Sequence, residues 1–365
     1  MYKQPGQEEF LFYILYIGAA VLSLISCCYL LFRRGNAFDP DITSPVRLRR
    51  WAAAFFAALA LCHLWYLPMY FLSASHDVRL GYHIAGLLDC VTVVPLPMAV
   101  LLVMLQDRRR PLWPVWGMMA PFVAGRLWCI ATRTDALLPV LFGCFMLVCI
   151  GLIIYMVRAL RQYRGWLRDN YADLEHKEVW QSFVVLAIMQ TEFLVYSFDL
   201  GELIFEYAME IINIVLICYL LWRIETLSDL SLPLNDTEEV ADAPSALPTS
   251  SAKNIGSLLK RYCEEPQLYL QHDISITQLA QRIGTNRSYL SQHFSSQGLT
   301  YNAYINGLRI QHFINLYHEA TAHHRFITAQ QMAHQSGFRS YSTFSAVFKQ
   351  TMGMTATEWM RLSES

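Results

Sequence analysis

Two stretches near the end of the chain place hydroxyl, amide and cationic side chains along one face of a short helix. The first stretch is ISITQLAQRIGTNRSYLSQHF, from Ile274 to Phe294, and the second is ITAQQMAHQSGFRSYSTFSAVF, from Ile327 to Phe348. Ser, Thr, Gln and Tyr side chains exchange hydrogen bonds with the edges of DNA bases, and Arg and Lys bind phosphates. These residue types therefore predict contact with nucleic acid.

Each stretch has the pattern of two short helices joined by a tight turn. The first helix of each ends at a glycine, Gly284 or Gly337, which suits a left-handed turn between two steeply packed helices. Asn286 and Ser340 are good N-caps for the second helices, which begin next in the sequence. The pattern predicts two helix-turn-helix motifs.

The second helix of each motif has one apolar edge and one polar face. Leu290 with Phe294, and Phe344 with Phe348, are four residues apart and predict a buried edge. The predicted exposed residues are Arg287, Ser288, Ser291, Gln292 and Ser295 in the first motif, and Arg339, Tyr341, Ser342, Thr343, Ala346 and Lys349 in the second. One polar face is ordinary for a solvated helix, but two copies with matching glycine turns favour DNA binding.

The same residues carry a family resemblance. GFRSYSTFSAVFKQTMGMTATEW, from Gly337 to Trp359, resembles the C-terminal signature of the AraC/XylS family of bacterial transcription regulators. LAQRIGTNRSYLSQHF and the LRI at Leu308 resemble that family's first motif and linking helix. The resemblance implies helix-turn-helix motifs at 274–297 and 327–352, joined by a helix that includes residues 301–317. In that fold the two motifs read adjacent major-groove segments about 34 Å apart.

The resemblance also implies residue roles. Base contacts would fall on Ser288, Ser291, Gln292, Tyr341, Ser342, Thr343 and Ala346, and the cations expected at phosphates are Arg287, Arg339 and Lys349. The chain departs from the family at Ala356, where proline is usual, and at Phe313 and Tyr317, where smaller or aliphatic residues are usual. Ala346 is too short to reach far towards a base, so DNA shape and the first motif are expected to contribute more of the specificity.

The rest of the chain has a different composition. Of its 365 residues, 55% are hydrophobic and 16% are charged, which is too apolar for an ordinary globular protein. Apolar stretches recur at residues 10–32, 51–72, 81–105, 111–131, 137–157, 180–199 and 201–222. Each approaches the ~20 residues that a membrane-crossing helix needs. The predicted fold is all-α: a seven-helix transmembrane bundle followed by a bipartite (double) helix-turn-helix domain.

Basic residues in the connections predict the orientation of this bundle. Thirteen Lys and Arg residues follow the first, third and fifth stretches, whereas three lie in the other connections. The side with more basic residues is normally cytoplasmic. The prediction therefore puts the N-terminus outside and everything after the seventh stretch in the cytoplasm, the side on which DNA lies.

Composition also suggests the domain boundaries. Residues 225–252 contain three prolines and six carboxylates but no Lys or Arg, which is typical of a flexible linker. We expect a transmembrane sensor domain at 1–224, this acidic linker, and a DNA-binding domain at 253–365. Nine cysteines without a CxxC pair indicate small buried side chains rather than disulfides or metal ligands.

Ionisable residues inside predicted membrane helices mark functional sites by default. Those proposed here are His63, Asp89, Arg126, Glu192, Glu206 and Glu210. At 1.5 Å per residue, nearly all fall in the outer half of the bilayer. They predict a ligand pocket open to the outside, for a cation, metal ion or proton if the acids are ionised. The alternative is a structural network in which these side chains pair between helices.

Together these features predict a one-component transcription regulator in the bacterial inner membrane. Known catalytic signatures are lacking, so we expect no enzyme activity, no cofactor and no resident metal. The expected partners are double-stranded promoter DNA, the lipid bilayer, an unidentified small ligand or ion, RNA polymerase and a second copy of the chain. Two alternatives remain: a membrane transporter or enzyme with a regulatory helix-turn-helix tail, and a tail that has lost DNA binding and serves as an interaction module.

Overall fold

A computed structural model describes residues 7–38, 40, 42–70, 75–185, 187–188, 203–230 and 255–363. The chain divides into two compact units, which are described separately. The N-terminal unit consists of Met1–Tyr163 and Val179–Leu232, and the C-terminal unit of Arg164–Glu178 and Pro233–Ser365. Over the described ranges the regular structure is helical, apart from an isolated antiparallel bridge between Tyr171 and Ser275. The all-α prediction is confirmed for those residues.

The N-terminal unit is a set of apolar helices. They are α1 Gln7–Phe32, α2 Val46–Tyr66, α3 Ser75–Val91, α4 Pro95–Met104, α5 Trp113–Gly117, α6 Ala120–Thr132, α7 Leu138–Asn170 and α8 Leu203–Thr226. Only the part of α7 that ends at Tyr163 belongs to this unit. Helix α1 packs against α2 and α8, α2 packs against α4, and α3 packs against α6. Ala52, Phe55, Phe56 and Leu59 recur at helical spacing on α2 and are all buried, so they form one packed face of that helix.

Two of the predicted spans are interrupted rather than continuous. The segment predicted at 81–105 is α3 and α4, separated by a turn in which the N–H groups of Thr92 and Val94 both donate to the carbonyl of Asp89. Pro95 follows this turn at the start of α4 and has no N–H to continue the α3 ladder. The segment predicted at 111–131 is α5 and α6, each with a proline in its first turn.

Five segments of the described residues are long and apolar enough to cross a membrane. They are Phe10–Phe32, Asp77–Met104, Trp113–Thr132, Leu138–Asn170 and Glu206–Thr226. Two predicted spans are not among them. One is 51–72, whose described part ends in a 3-10 turn at Leu67–Tyr70, and the other is 180–199, most of which lies outside the described residues. The count of seven spans therefore stays a prediction.

The start of the predicted linker differs from the expectation. Helix α8 continues through Thr226, and Glu225 is fully buried against Arg33, with 2.5 Å between Arg33 Nη1 and Glu225 Oε2. Beyond the helix, the Asp229 N–H donates to the carbonyl of Thr43. Residues 225–230 thus belong to the packed N-terminal unit because an ion pair and backbone hydrogen bonds hold them. The rest of the predicted linker, 231–252, lies outside the described residues.

The C-terminal unit has two small cores on a common long helix. Its helices are the end of α7 from Arg164, then α9 Ile255–Leu259, α10 Ile276–Ile283, α11 Arg287–Ser296, α12 Tyr301–Ala322, α13 Ala329–Gln335, α14 Tyr341–Met352 and α15 Ala356–Ser363. One core gathers residues of α9 to α11 and the start of α12, and the other gathers residues from the rest of α12 through α15. Helix α12 contributes to both cores and therefore joins them rigidly.

Candidate nucleic-acid interface

The first helix-turn-helix is formed by α10 and α11. Ser275 caps α10 by accepting a hydrogen bond from the backbone of Gln278, whose side chain accepts one in return from the N–H of Ser275. Gly284 ends α10 with a φ of 71°, a left-handed conformation that glycine adopts without strain. Asn286 then caps α11 by accepting from the Ser288 N–H at 2.8 Å. The turn at Gly284 and the cap at Asn286 match the sequence-based prediction.

The apolar edge of α11 sets which of its side chains face outward. Leu290 and Phe294 are buried in the first core, as predicted. Ser288 and Gln292 are exposed, whereas Arg287 and Ser291 are half-buried. The predicted polar face is thus present on one side of α11.

The second helix-turn-helix repeats this design with α13 and α14. A capping box of Thr328 and Gln331 starts α13, and Ser340 caps α14 by accepting from the Thr343 N–H. Between them Gly337 has a φ of 87°, and a Cβ atom on it would lie 2.8 Å from the Cα of Leu270. A side chain is therefore excluded at Gly337 both by backbone conformation and by space.

The outward face of α14 is the more open of the two. Phe344 and Phe348 are fully buried, whereas Tyr341, Ser342, Ala346 and Lys349 are exposed. Thr343 and Arg339 are half-buried. The arrangement brings hydroxyls and a lysine onto one helix face, from which they can reach base edges and phosphates.

Three departures from the family pattern are packing residues. The ring of Phe313 lies 4.5 Å from that of Phe344, centroid to centroid, inside the second core. Tyr317 donates its hydroxyl hydrogen to the carbonyl of Met360, and Ala356 is buried at the start of α15. These three residues lie in the second core rather than on the outward face.

Arg309 is a structural residue that the sequence reasoning did not single out. It is 1% exposed and donates from Nε to the carbonyl of Tyr269 at 2.8 Å, and from Nη2 to the carbonyls of Gln271 and His272 at 2.7 and 3.2 Å. Its guanidinium also lies 5.7 Å from the ring centre of Phe338 in the second helix-turn-helix. Burial lowers the pKa of Arg309. This arginine ties α12, the 269–272 turn and the second motif together.

Two half-buried interface residues have acidic partners within the C-terminal unit. Arg339 Nη1 lies 3.4 Å from Asp273 Oδ2, and the Thr343 hydroxyl donates to Glu175 Oε2 at 3.2 Å. Lys177 Nζ is 3.0 Å from the other oxygen of Asp273. Burial alone would raise the pKa of Asp273, but Lys177 and Arg339 favour its charged form and the net effect lowers that pKa. Sequence reasoning missed Glu175 and Lys177, which carry no motif.

The candidate ligand residues of the N-terminal unit fall into separate groups. His63 Nε2 lies 3.7 Å from Glu210 Oε2, and its Nδ1 is 2.7 Å from the Leu59 carbonyl. Asp89 accepts hydrogen bonds from Tyr66 and Trp65 at 2.5 and 3.2 Å. These contacts between α2 and its neighbours are of the kind that the structural-network alternative predicts.

Arg126 belongs to a third group. Its Nη1 atom is 3.4 Å from His83 Nδ1, and His83 Nε2 is 2.8 Å from Asp135 Oδ1. A cavity of about 10 Å³ lined by Arg79, Leu80, His83 and Arg133 has room for about one water molecule.

Glu206 lies in the first turn of α8, and Glu192 lies outside the described residues. The ligand pocket stays a prediction. Among the described residues no group of three His, Cys, Asp or Glu is placed to hold a metal ion.

Comparison with known proteins identifies the C-terminal region. Residues 279–362 match the helix-turn-helix domain family. The chain is also similar to the TCP pilus virulence regulatory protein from two strains of Vibrio cholerae serotype O1, with 37% identity over 76 residues. That alignment covers 21% of this chain and 26% of the relative, so the chain spans about a quarter of the length of these relatives. No solved structure matches the chain. The C-terminal region is therefore a helix-turn-helix domain of the AraC type.

Proposed function

We propose that the protein is a membrane-anchored transcription regulator whose C-terminal domain binds promoter DNA through α11 and α14. The observation that carries this proposal is the pair of helix-turn-helix motifs on one rigid helix, each with a buried apolar edge and an outward polar face. A single motif of this kind would be weak support, but the duplication suits two successive major-groove contacts. The match of residues 279–362 to a helix-turn-helix domain family supports the same function.

Within this proposal the residues divide by chemistry. Ser288, Ser291 and Gln292 on α11, and Tyr341, Ser342, Thr343 and Ala346 on α14, face base edges. Arg287, Arg339 and Lys349 bind the phosphates that flank them. The phosphate contacts supply affinity and register, and the base contacts supply sequence preference.

The apolar surface of the N-terminal unit supports a place in the bilayer. Ile14 and Ile17 on α1, and Leu147, Ile150 and Ile153 on α7, are more than half exposed. Exposed apolar side chains of this kind are unfavourable in water but favourable in contact with lipid. We therefore propose that these helices cross the bacterial inner membrane, with seven spans in total.

The proposed orientation has support from α7. Its apolar first part is followed by Arg158, Arg161, Arg164 and Arg168, as expected at a cytoplasmic helix end. Residues Arg164–Glu178 belong to the same compact unit as the helix-turn-helix motifs. The basic end of α7 and the DNA-binding domain thus both fit the cytoplasmic side.

The remaining partners follow from this arrangement. We propose that the membrane helices respond to an extracytoplasmic or membrane signal, with His63, Asp89, Arg126, Glu192, Glu206 and Glu210 as the residues to test first. RNA polymerase and a second copy of the chain are the expected protein partners at the promoter.

The decisive experiment is to crosslink the full-length chain to DNA in its own cell and sequence the recovered fragments. Sharp peaks that disappear in the Gln292→Ala and Ser342→Ala variants, but persist in Gln311→Ala, would support the proposal. Gln311 is the matched control because it is exposed on α12 and bonded to Asn315, away from α11 and α14. A flat profile at normal expression in all four proteins would count against DNA binding.

Location is tested separately. A protease-cleavable tag after residue 365 should be protected in intact cells and cleaved in inverted membrane vesicles. Recovery of the whole chain in the soluble fraction would overturn the membrane part of the proposal and leave the DNA-binding part standing.

A further inference from the structure

The segment Arg164–Glu178, at and after the end of α7, is built into the DNA-binding domain. Ala172 is 2% exposed and belongs to the first core, and its N–H donates to the carbonyl of Ile274 at 3.3 Å. The side-chain amide of Asn302 on α12 donates to the carbonyls of Tyr171 and Ala172 at 3.2 and 2.6 Å. This part of the segment is therefore anchored by packing and by backbone hydrogen bonds.

Beyond this anchor the segment reaches the second helix-turn-helix. Glu175 accepts the hydroxyl hydrogen of Thr343 at 3.2 Å, and Lys177 binds Asp273, which also binds Arg339. The backbone between anchor and contact is turned by Asp173, whose Oδ1 accepts from the Glu175 N–H at 3.0 Å. The carboxylate of Glu175 is thereby aimed at the start of α14.

The residues that the segment engages are those assigned to DNA. Thr343 is a proposed base contact, and Arg339 is a proposed phosphate contact whose partner Asp273 is held by Lys177. The carboxylates of Glu175 and Asp273 thus contact side chains that would otherwise contact base edges and phosphates. A carboxylate and a phosphate compete for the same cationic and hydroxyl donors.

We propose that the 164–178 segment competes with DNA for α14. Glu175 accepts the hydrogen bond of the Thr343 hydroxyl and must withdraw before the second motif can read a base pair. This inference rests on the proposed DNA-binding function. The competition arises because the Glu175 carboxylate, 3.2 Å from the Thr343 hydroxyl, accepts its hydrogen bond and repels an approaching phosphate backbone.

The segment also offers a route for a signal. Asp169 and Asn170 are the last residues of α7, so the segment is covalently continuous with that helix. A shift of α7 along its axis would pull on the backbone that carries Glu175. Helix shifts of about 1–2 Å are common in regulated proteins and are enough to break a hydrogen bond. DNA binding by the second motif would then depend on the position of α7.

The test measures DNA binding by the full-length chain reconstituted in lipid nanodiscs. The DNA probe is the pool enriched from random duplexes by the wild-type chain and, in parallel, by Glu175→Ala. We expect Glu175→Ala to bind DNA roughly twofold to tenfold more tightly than wild type, because DNA no longer has to displace the hydrogen bond between Thr343 and Glu175. Glu175→Gln, which keeps an acceptor but loses the charge, should fall between the two.

Glu178→Ala is the matched control. It removes the same charge from the same segment, but its carboxylate lies 3.6 Å from Arg164 rather than at α14. Tighter binding by Glu175→Ala with unchanged binding by Glu178→Ala supports the inference. Binding by Glu175→Ala that is equal to or weaker than wild type overturns it, and so does an equal gain in Glu178→Ala.

Two further readouts separate the inference from the proposed function. If neither wild type nor Glu175→Ala enriches any DNA, the proposed function itself fails and takes the inference with it. If wild type binds DNA, amide hydrogen exchange at residues 173–178 should rise when DNA is added. Exchange that is unchanged or slowed by DNA would show that the segment stays in place, and the inference would be wrong while the function stands.

Discussion

Gly337 approaches the backbone of Leu270 so closely that a Cβ atom on the glycine would meet the Leu270 Cα at 2.8 Å. The two residues belong to different parts of the DNA-binding domain, since Leu270 packs against the first core and Gly337 forms the turn of the second motif. The turn glycine thus does more than allow a left-handed conformation. It also sets how near the second helix-turn-helix lies to the first.

Gly337→Ala should therefore destabilise the second motif more than a turn glycine ordinarily would. Alanine at a φ of 87° is strained, and its methyl group has no space against backbone atoms, so we expect a loss above about 2 kcal/mol. Gly284→Ala is the control: its φ is 71°, but the space around its Cβ is open, so we expect a loss of about 1–2 kcal/mol.

Amide hydrogen exchange in α14 for Gly337→Ala, and in α11 for Gly284→Ala, measures these losses in the full-length chain. Equal losses at the two glycines would mean that the contact with Leu270 contributes nothing. The comparison is informative because both substitutions add the same methyl group to the same kind of turn.

Arg309 should be irreplaceable by other long side chains. Its planar guanidinium donates from two separate nitrogens to three backbone carbonyls, those of Tyr269, Gln271 and His272. A methionine has no donor, and a lysine ammonium carries all its donors on one nitrogen. We expect Arg309→Met to cost about 2–4 kcal/mol, because buried carbonyls lose their donors, and Arg309→Lys to cost less. Arg282→Met, at an exposed position of α10, is the control and should change little.

Exchange rates of the amides at 268–272 and in α13 report this loss. Protection lost only at 268–272 would mean that Arg309 holds its own turn but does not couple the two motifs. Protection lost in both regions is the expected outcome, since the guanidinium also stacks on Phe338.

The sequence was sufficient for the helix-turn-helix motifs because their signals are local. Glycine turns, N-caps and apolar pairs four residues apart act within one or two helical turns, and Gly284, Asn286 and Phe344 lie where these rules put them. The same rules missed Glu175, which meets Thr343 across 168 positions of sequence and belongs to no periodic pattern. Arg309 was missed because a charged residue in a polar helix is normally solvated, and only the fold buries it.

The apolar half was predicted less completely. Periodicity and composition identify apolar stretches, but they do not show where a helix within a stretch is interrupted, as at the turn before Pro95. Composition also placed the linker start at residue 225, whereas tertiary contacts with Arg33 and Thr43 extend the folded unit through residue 230. Such contacts join residues far apart in sequence and leave no local signal.

The docking of the 164–178 segment should depend on pH through Asp173. Burial raises the pKa of this carboxyl, and Oδ2 has no hydrogen-bond partner among the described residues. Because the folded state binds the proton more tightly than the unfolded state, Asp173 favours docking below its unfolded pKa of about 4. This contribution is lost as pH rises from there through the raised pKa of the docked state.

Asp173→Asn should remove this slope of docking stability against pH. It should also strengthen docking at pH 7 by roughly 1 kcal/mol, since a buried charge is replaced by a neutral amide that can still accept a hydrogen bond from the Glu175 N–H. Asp273 has the opposite sign: its lowered pKa supplies stability above about pH 4 that is lost on further acidification. Intrinsic-rate-corrected hydrogen exchange at residues 171–178 between pH 4 and 7 measures the difference. A wild-type slope that persists in Asp173→Asn would assign the titration to another group.

Lys349 and Gln292 should have separable effects on DNA binding. Lys349 is exposed on α14 and is assigned to a phosphate, so Lys349→Ala should weaken binding to all sequences and lower the salt dependence of log K by about one unit of slope. Gln292 is exposed on α11 and is assigned to a base edge. Gln292→Ala should leave that slope unchanged and reduce discrimination at one or two base pairs by about 1–3 kcal/mol.

The measurement is a series of titrations of the reconstituted full-length chain with its selected duplex and single-base variants at several salt concentrations. Gln311→Ala, on the linking helix, should match wild type in both slope and preference. Base preference left intact in Gln292→Ala would contradict the assignment of Gln292 to a base edge. That result would rotate the proposed docking of α11, because the side chains that meet base edges fix which face of the helix enters the groove.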